Sequence, residues 1–168
     1  TGGILEIRYD NKSGTIKLDD IYPREKEWVS KTFTITGKNN TDLQMKYEIG
    51  LKTDNNTFTS GSLSYSLISE NTSNNGAVVA SINNSSITSY SHTFGTGYFE
   101  AGENLVHTYT LKIYYKDNGQ NQNINQGAKY AGHVIIESVE PEQIVINKIA
   151  LSKDNIELVD SIVLKCKY

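Results

Sequence analysis

Cysteine, proline and histidine are scarce in this sequence, whose 168 residues include one Cys, two Pro and three His. A single cysteine, Cys166, excludes an intramolecular disulfide, and no cluster of Cys and His has the spacing of a zinc site. We therefore predict no disulfide and no cofactor. The fold has to rest on an apolar core.

Excess positive charge and long apolar runs are also lacking. The chain has 16 Lys and Arg against 19 Asp and Glu, a net charge of -3, which gives no electrostatic attraction to nucleic acid or to an anionic membrane. No stretch approaches the roughly 20 apolar residues of a membrane span, so we predict no direct membrane insertion. Because the sequence starts at Thr1 rather than Met, we interpret it as a processed or trimmed product in which any signal peptide or anchor would already be absent.

The sequence does contain segments in which apolar and polar residues alternate, which is the pattern of half-buried β-strands. It is clearest at 43–51 and 105–115, and turn-forming Asn, Asp and Gly separate the segments. No segment has helical periodicity. The predicted strands are 4–9, 15–18, 28–36, 43–51, 63–67, 78–82, 105–115, 130–139, 144–149 and 162–165. About ten short strands of this kind predict an all-β fold, a two-sheet antiparallel sandwich of jelly-roll or Ig-like type.

The domain organisation follows from a break near Pro141. We predict a β-sandwich domain at 1–140 and a C-terminal strand extension at 141–168, which is too short to be a domain. The apolar residues of this extension have to be buried against other parts of the protein or against another molecule. The extension is therefore part of the sandwich, a strand donated to a neighbouring molecule, or the start of an Ig-like domain.

Recognisable catalytic motifs are absent, and we predict that the chain is not an enzyme. The residues that a hydrolase could use are His92, His107 and His133, with the carboxylates Asp19, Asp20, Glu100 and Glu103. None lies in a known catalytic sequence context, and His107 falls on the apolar phase of its strand. A hydrolase would need Glu100, Glu103 and His107 to converge in a deep pocket.

Two kinds of ligand site have candidates. Asp117 and Asn118 are weak candidates for calcium, because Asp and Asn beside Gly are also the ordinary composition of a hairpin turn, and we predict no metal. Exposed tyrosines at Tyr90, Tyr98 and Tyr114 could stack against a glycan, and Tyr114 belongs to the outer phase of its strand.

Four segments carry a resemblance to known proteins: 28–41 (WVSKTFTITGKNNT), 47–51 (YEIGL), 107–115 (HTYTLKIYY) and 130–136 (YAGHVII). In these segments the chain resembles anchored surface proteins of Gram-positive bacteria (Firmicutes), and its layout is similar to that of the camelysin and TasA biofilm-fibre group. The resemblance spans residues 4–137 and lies in the succession of strand-like segments. It implies a jelly-roll-like domain outside the cell, joined to its neighbours by a terminal strand. The segment 145–152 resembles the opening strand of a bacterial Ig-like domain.

The leading functional hypothesis is a non-catalytic structural protein of a bacterial surface, fibre or biofilm matrix. It would self-associate, or join other surface proteins, by β-strand addition. The residues proposed for the assembly strands are Ile4, Leu5, Ile7, Ile144, Val145 and Ile146. The alternatives are an adhesin or carbohydrate-binding module with a glycan as partner, and a phage virion decoration protein.

Overall fold

The computed structural model describes residues 2–10, 15–139, 145–146 and 161–167, and the side chains of residues 15–139. Its strands are β1 (Gly2–Asp10), β2 (Ile16–Leu18), β3 (Val29–Asn39), β4 (Met45–Asn56), β5 (Leu63–Glu70), β6 (Ile82–Ser86), β7 (Ser91–Phe99), β8 (Gly102–Tyr115), β9 (Tyr130–Val139), β10 (Val145–Ile146) and β11 (Ser161–Lys167), with a short 3-10 helix, η1 (Asn123–Asn125). The all-β prediction is confirmed.

The two-sheet antiparallel sandwich is also confirmed. Strands β3-β8-β5-β6 form one sheet and β2-β9-β4-β7 the other, so eight strands rather than about ten build the sandwich. Strands β1, β11 and β10 continue the first sheet beyond β3, in that order. Successive strands change sheet at every step from β2 to β9 except between β5 and β6. This is the connectivity of a jelly roll, rather than that of an Ig-like domain.

The alternation read from the sequence produces the core. In β4, Met45, Tyr47, Ile49 and Leu51 are completely buried, and β8 buries alternate residues from Leu105 to Tyr115. Because each fully buried aliphatic or aromatic side chain stabilises the fold by about 1.5–3 kcal/mol, these two long strands hold much of the core.

Strand β6 lies later in the chain than the predicted segment 78–82. Val79 is fully buried but lies before β6, where its N–H donates to the Tyr109 hydroxyl at 3.0 Å. Strand β6 itself has the polar sequence INNSS and pairs only with β5 among the described strands. An edge strand of this kind has little need of buried apolar residues, and the alternation that marks a strand is weak there.

Strand β7 was not predicted. A β-bulge shifts the pairing between Gly95 opposite Ile49 and Thr93 opposite Gly50, so Phe94 is the extra residue and the inward phase changes along the strand. One inward position is Gly97, where a Cβ atom would lie 2.6 Å from the Tyr47 hydroxyl. Because of the bulge and the inward glycine, the sequence of β7 does not show the alternation of apolar and polar residues that predicts a strand.

The predicted terminal strands lie partly within the described residues. Strand β10 contains Val145 and Ile146 of the predicted 144–149, and Ile144 lies outside the described residues. Strand β11 contains the predicted 162–165 and pairs with β1. The division at residue 140 stays a prediction.

Candidate functional site

An open groove of about 630 Å³ lies between the two sheets, at the end of the sandwich where β1 joins β3. One wall is β2, the last described strand of the second sheet, and the other is the first half of β3. We call this the edge groove, defined by Thr15, Ile16, Lys17, Trp28, Val29, Ser30, Lys31, Thr32, Phe33 and Thr34. Among the described strands β2 is an edge strand, whereas β3 lies between β1 and β8.

Two apolar side chains and a lysine form the floor of the edge groove. Alternation in β3 turns Lys31 and Phe33 inward, where they are 8% and 2% exposed, and β2 contributes Ile16 at 5%. Burial lowers the pKa of the Lys31 amine. The aliphatic part of this lysine adds to the apolar surface of the groove. Side chains of an extended segment could alternate between this floor and solvent.

Both terminal strands add to the sheet edge beside this groove. Strand β1 pairs with β3 from Leu5 opposite Asn39 to Asp10 opposite Thr34, which leaves 29–33 of β3 outside that ladder. Strand β11 then pairs along β1 from Gly2 opposite Lys167 to Arg8 opposite Ser161. Among the described strands, the second sheet ends at β2, so the added strands extend one sheet only.

The register places the proposed assembly positions on that edge. Positions Leu5 and Ile7 are opposite Asn39 and Gly37, and therefore lie on the same face of the sheet as the fully buried Ile35. Position Ile4 lies on the other face. In β10, Val145 and Ile146 are opposite Lys167 and Cys166 of β11.

A buried polar network joins the two sheets away from this groove. The Nε2 atom of His107 lies 2.7 Å from the carbonyl oxygen of Asn75, so Nε2 carries the proton and donates. In a neutral imidazole Nδ1 then accepts, and the Tyr47 hydroxyl donates to it at 2.6 Å. The Tyr109 hydroxyl donates to that of Tyr47 and accepts the Val79 N–H. Every polar atom of the network has a partner.

Burial keeps this network uncharged. It lowers the pKa of His107, and it raises the pKa values of Tyr47 and Tyr109. His107 is 0% exposed and stacks on Phe99 at 4.1 Å between ring centroids. With both ring nitrogens engaged and no exposed surface, His107 holds the sheets together and cannot contact a substrate.

The lowered pKa of His107 predicts a loss of stability in mild acid. Unfolding returns the imidazole to its ordinary pKa of 6.5, so the unfolded chain binds a proton first as the pH falls. We expect the free energy of unfolding to decrease as the pH falls below 6.5, and to stop responding to this group below its folded pKa. Urea unfolding between about pH 7.5 and about pH 5 measures this.

A His107→Gln variant is the control for that titration. It should be less stable at neutral pH, because its side chain does not reproduce the imidazole, yet its stability should fall less between pH 7.5 and pH 5. Equal pH slopes for the two proteins would contradict the assignment to His107.

The structure does not bring the hydrolase candidates together. Glu103 forms an ion pair with Lys38 at 3.3 Å, and Glu100 accepts a hydrogen bond from Gln44 at 3.1 Å. Both carboxylates are exposed, whereas His107 is buried. Asp19 and Asp20 are exposed directly after β2.

The calcium candidates form turns. The Oδ1 atom of Asp117 accepts the Gly119 N–H at 2.8 Å, and that of Asn118 accepts the Gln120 N–H at 2.9 Å. Each is an Asx turn, which engages the oxygen that calcium would need. Within the part of the chain that the structure describes, no three His, Cys, Asp or Glu side chains lie close enough to hold a metal ion.

The three candidate tyrosines do not share a surface. Tyr90 is 62% exposed in the loop between β6 and β7, above a small cavity of about 190 Å³. Tyr98 is half-buried on the outer side of the second sheet, and Tyr114 is half-buried on the outer side of the first. A ligand surface can include any one of these tyrosines, but not all three.

The two remaining histidines organise neighbouring chain segments. The Nε2 atom of His92 accepts the N–H groups of Thr88 and Ser89 at 3.1 and 3.2 Å, which fixes the loop that carries Tyr90. The Nδ1 atom of His133 lies 2.8 Å from Asp54 across the β4–β9 pair.

Sequence reasoning missed the edge groove and the buried network. The sequence did contain a signal for the network. Tyr47, His107 and Tyr109 carry polar groups and occupy inward-facing positions of long strands. The edge groove had no such signal. It depends on which strands end each sheet, and the residues that line it are ordinary strand residues.

The fold and the edge geometry define a jelly-roll sandwich whose two terminal strands extend one sheet edge. No protein-family model matches the chain, and no curated protein is significantly similar to it in sequence. Across the described ranges, no helix is long and apolar enough to cross a membrane.

Proposed function

We propose that this chain is a non-catalytic structural protein that assembles with further copies of itself by β-strand addition at the edge groove. It would act outside the cell, in a bacterial surface layer, fibre or matrix. The observation that carries the proposal is that the edge groove and both terminal strands lie at the same end of the sandwich.

Strand β1 is the proposed donor. The strands β2 to β9 already form two four-stranded sheets, so β1 can leave β3 without breaking the pairing within either of them. A copy of β1 from a neighbouring molecule would then pair with the exposed edge of β3. Main-chain hydrogen bonds would supply the affinity, and the alternating positions Leu5 and Ile7 would supply the fit.

Sedimentation velocity over a range of concentrations, with negative-stain microscopy of the same samples, tests this proposal. We expect the full chain to form oligomers or fibres as its concentration rises. A double variant, Leu5→Asp with Ile7→Asp, should remain monomeric because it places two charges on the face of the sheet that carries Ile35. Circular dichroism would verify that the variant retains its strands.

The matched control changes positions on the opposite face of β1. Glu6→Gln with Arg8→Gln leaves the inward positions intact and should still assemble. A chain that ends at Glu140 should assemble too, since it keeps β1 and loses β11. The proposal is wrong if the full chain stays monomeric at every concentration, or if the Asp variant assembles as well as the control. Loss of assembly in the shortened chain alone would make the C-terminal segment the donor instead.

A further inference from the structure

A second groove, of about 560 Å³, lies at one end of the sandwich, between the segment that follows β2 and the loop that joins β8 to β9. We call it the end groove, and the residues that matter for binding are Tyr22, Tyr115, Asp117, Gln120, Asn123 and Gln126. Its volume is within the range of small-ligand sites, about 300–1,000 Å³. Its lining combines two aromatic rings with several side-chain amides.

One wall presents an aromatic ring that is exposed and yet held in place. Tyr22 is 59% exposed, and its ring meets that of Trp28 edge-on, with 4.9 Å between centroids. The indole N–H of Trp28 donates to the Tyr22 carbonyl at 3.1 Å. Arg24 lies over the Trp28 ring at 3.4 Å, and its backbone N–H donates to Tyr115 at 2.8 Å. The Tyr22 ring is therefore a fixed, solvent-facing platform.

The opposite wall is a loop fixed by its own side chains. Besides the two Asx turns at Asp117 and Asn118, Asn121 accepts the Asn123 N–H at 2.8 Å, and Gln122 donates to the Lys116 carbonyl at 3.1 Å. These bonds hold the backbone of the loop in one conformation. Binding would then cost little ordering of the loop.

Three amide side chains on this wall are available to a ligand. Within the described residues, the side chains of Gln120, Asn123 and Gln126 make no hydrogen bond, and all three residues are exposed in or beside the groove. Each amide carries two donor hydrogens and an acceptor oxygen. The nearby Arg24 guanidinium is already used, since it donates to the carbonyls of Lys26 and Glu27. The groups free to bind are therefore mostly neutral.

From this combination we infer that the end groove binds a neutral oligosaccharide. A pyranose ring offers an apolar face that fits an aromatic platform, and hydroxyl groups around its rim that both donate and accept hydrogen bonds. Neutral amides match those hydroxyls without the cost of removing a charge from water. The two grooves share no lining residue, although Trp28, which lines the edge groove, packs against Tyr22 of the end groove.

The test is an isotope-edited NMR titration of the full chain with chitotetraose, cellotetraose and maltotetraose in turn. We expect at least one of these sugars to shift the backbone signals of Tyr22 and of residues 120–126. Tyr22→Ala should weaken that binding about tenfold or more, the effect of losing a central aromatic contact of about 1.4 kcal/mol. Gln120→Ala with Gln126→Ala should also weaken it while keeping the Tyr22 ring.

The matched control is Tyr90→Ala, which removes an equally exposed tyrosine from a different loop and should leave binding unchanged. The inference is overturned if none of the three sugars shifts these signals, or if the shifts map to the loop around Tyr90. It is also overturned if the double amide variant and Tyr22→Ala, each verified as folded by its NMR spectrum, bind as tightly as the unmodified chain.

Discussion

Replacing Tyr47 by Phe is expected to lower the free energy of unfolding by about 2–6 kcal/mol, since each of two buried polar groups left without a partner costs about 1–3 kcal/mol. The substitution keeps the ring but removes the hydroxyl that donates to His107 Nδ1 and accepts from Tyr109. The His107 Nδ1 atom would lose its donor and the Tyr109 O–H its acceptor, while the Tyr109 oxygen would keep the Val79 N–H. Equilibrium unfolding in urea at neutral pH measures the change.

Tyr65→Phe is the matched control for this substitution. Tyr65 is 4% exposed in the same core, but its hydroxyl makes no hydrogen bond within the described part of the chain. Its removal should change the stability by less than about 0.5 kcal/mol. Equal losses for the two variants would mean that the hydrogen bonds of the network contribute no more than the Tyr65 hydroxyl does.

The second large effect is expected at Gly76, where Gly76→Ala should destabilise the protein by about 2–5 kcal/mol. About 1–3 kcal/mol of this comes from overpacking and about 1–2 from the left-handed backbone. The Cβ atom would lie 2.0 Å from the Tyr98 carbonyl oxygen, and the φ angle is +66°. Thermal and urea unfolding measure the change. Because the Asn75 carbonyl next to Gly76 accepts from His107, the buried network would also be displaced.

Gly61→Ala separates the two causes. Gly61 has a similar φ of +79°, but its Cβ would have nothing within 4 Å. Only the backbone cost of about 1–2 kcal/mol should remain. If Gly76→Ala were no worse than Gly61→Ala, the close approach between Gly76 and Tyr98 would not be a rigid feature of the fold.

The positions of most strands could be predicted because the pleat of a strand is local. Residues two apart lie on the same face, so the alternation at Met45–Leu51 and Leu105–Tyr115 identified both the strands and their buried side chains. The prediction failed at β7, where a bulge at Phe94 changes the phase and Gly97 is an inward position with no side chain. It also failed at β6, a polar edge strand.

The candidate sites were less accessible to sequence reasoning. Trp28 and the amide-rich loop at 118–125 were both conspicuous in the sequence, but nothing in their spacing indicated that Tyr22 and Gln126 line one groove. Those two segments meet because β2 and β8 end at the same end of the sandwich. Tyr90, Tyr98 and Tyr114 were singled out as candidate exposed aromatics, Tyr114 from its strand phase, and phase does not say which sheet a strand joins.

By itself, the sequence determined an all-β chain without an intramolecular disulfide, with inward residues at every second position of its long strands, because those properties depend on composition and on the pleat. Only the tertiary structure decided the jelly-roll order, the contact of Tyr47 with His107 and Tyr109, and the two grooves. These features join residues far apart in sequence. Which strands pair depends on how the whole core closes, and no local pattern records it.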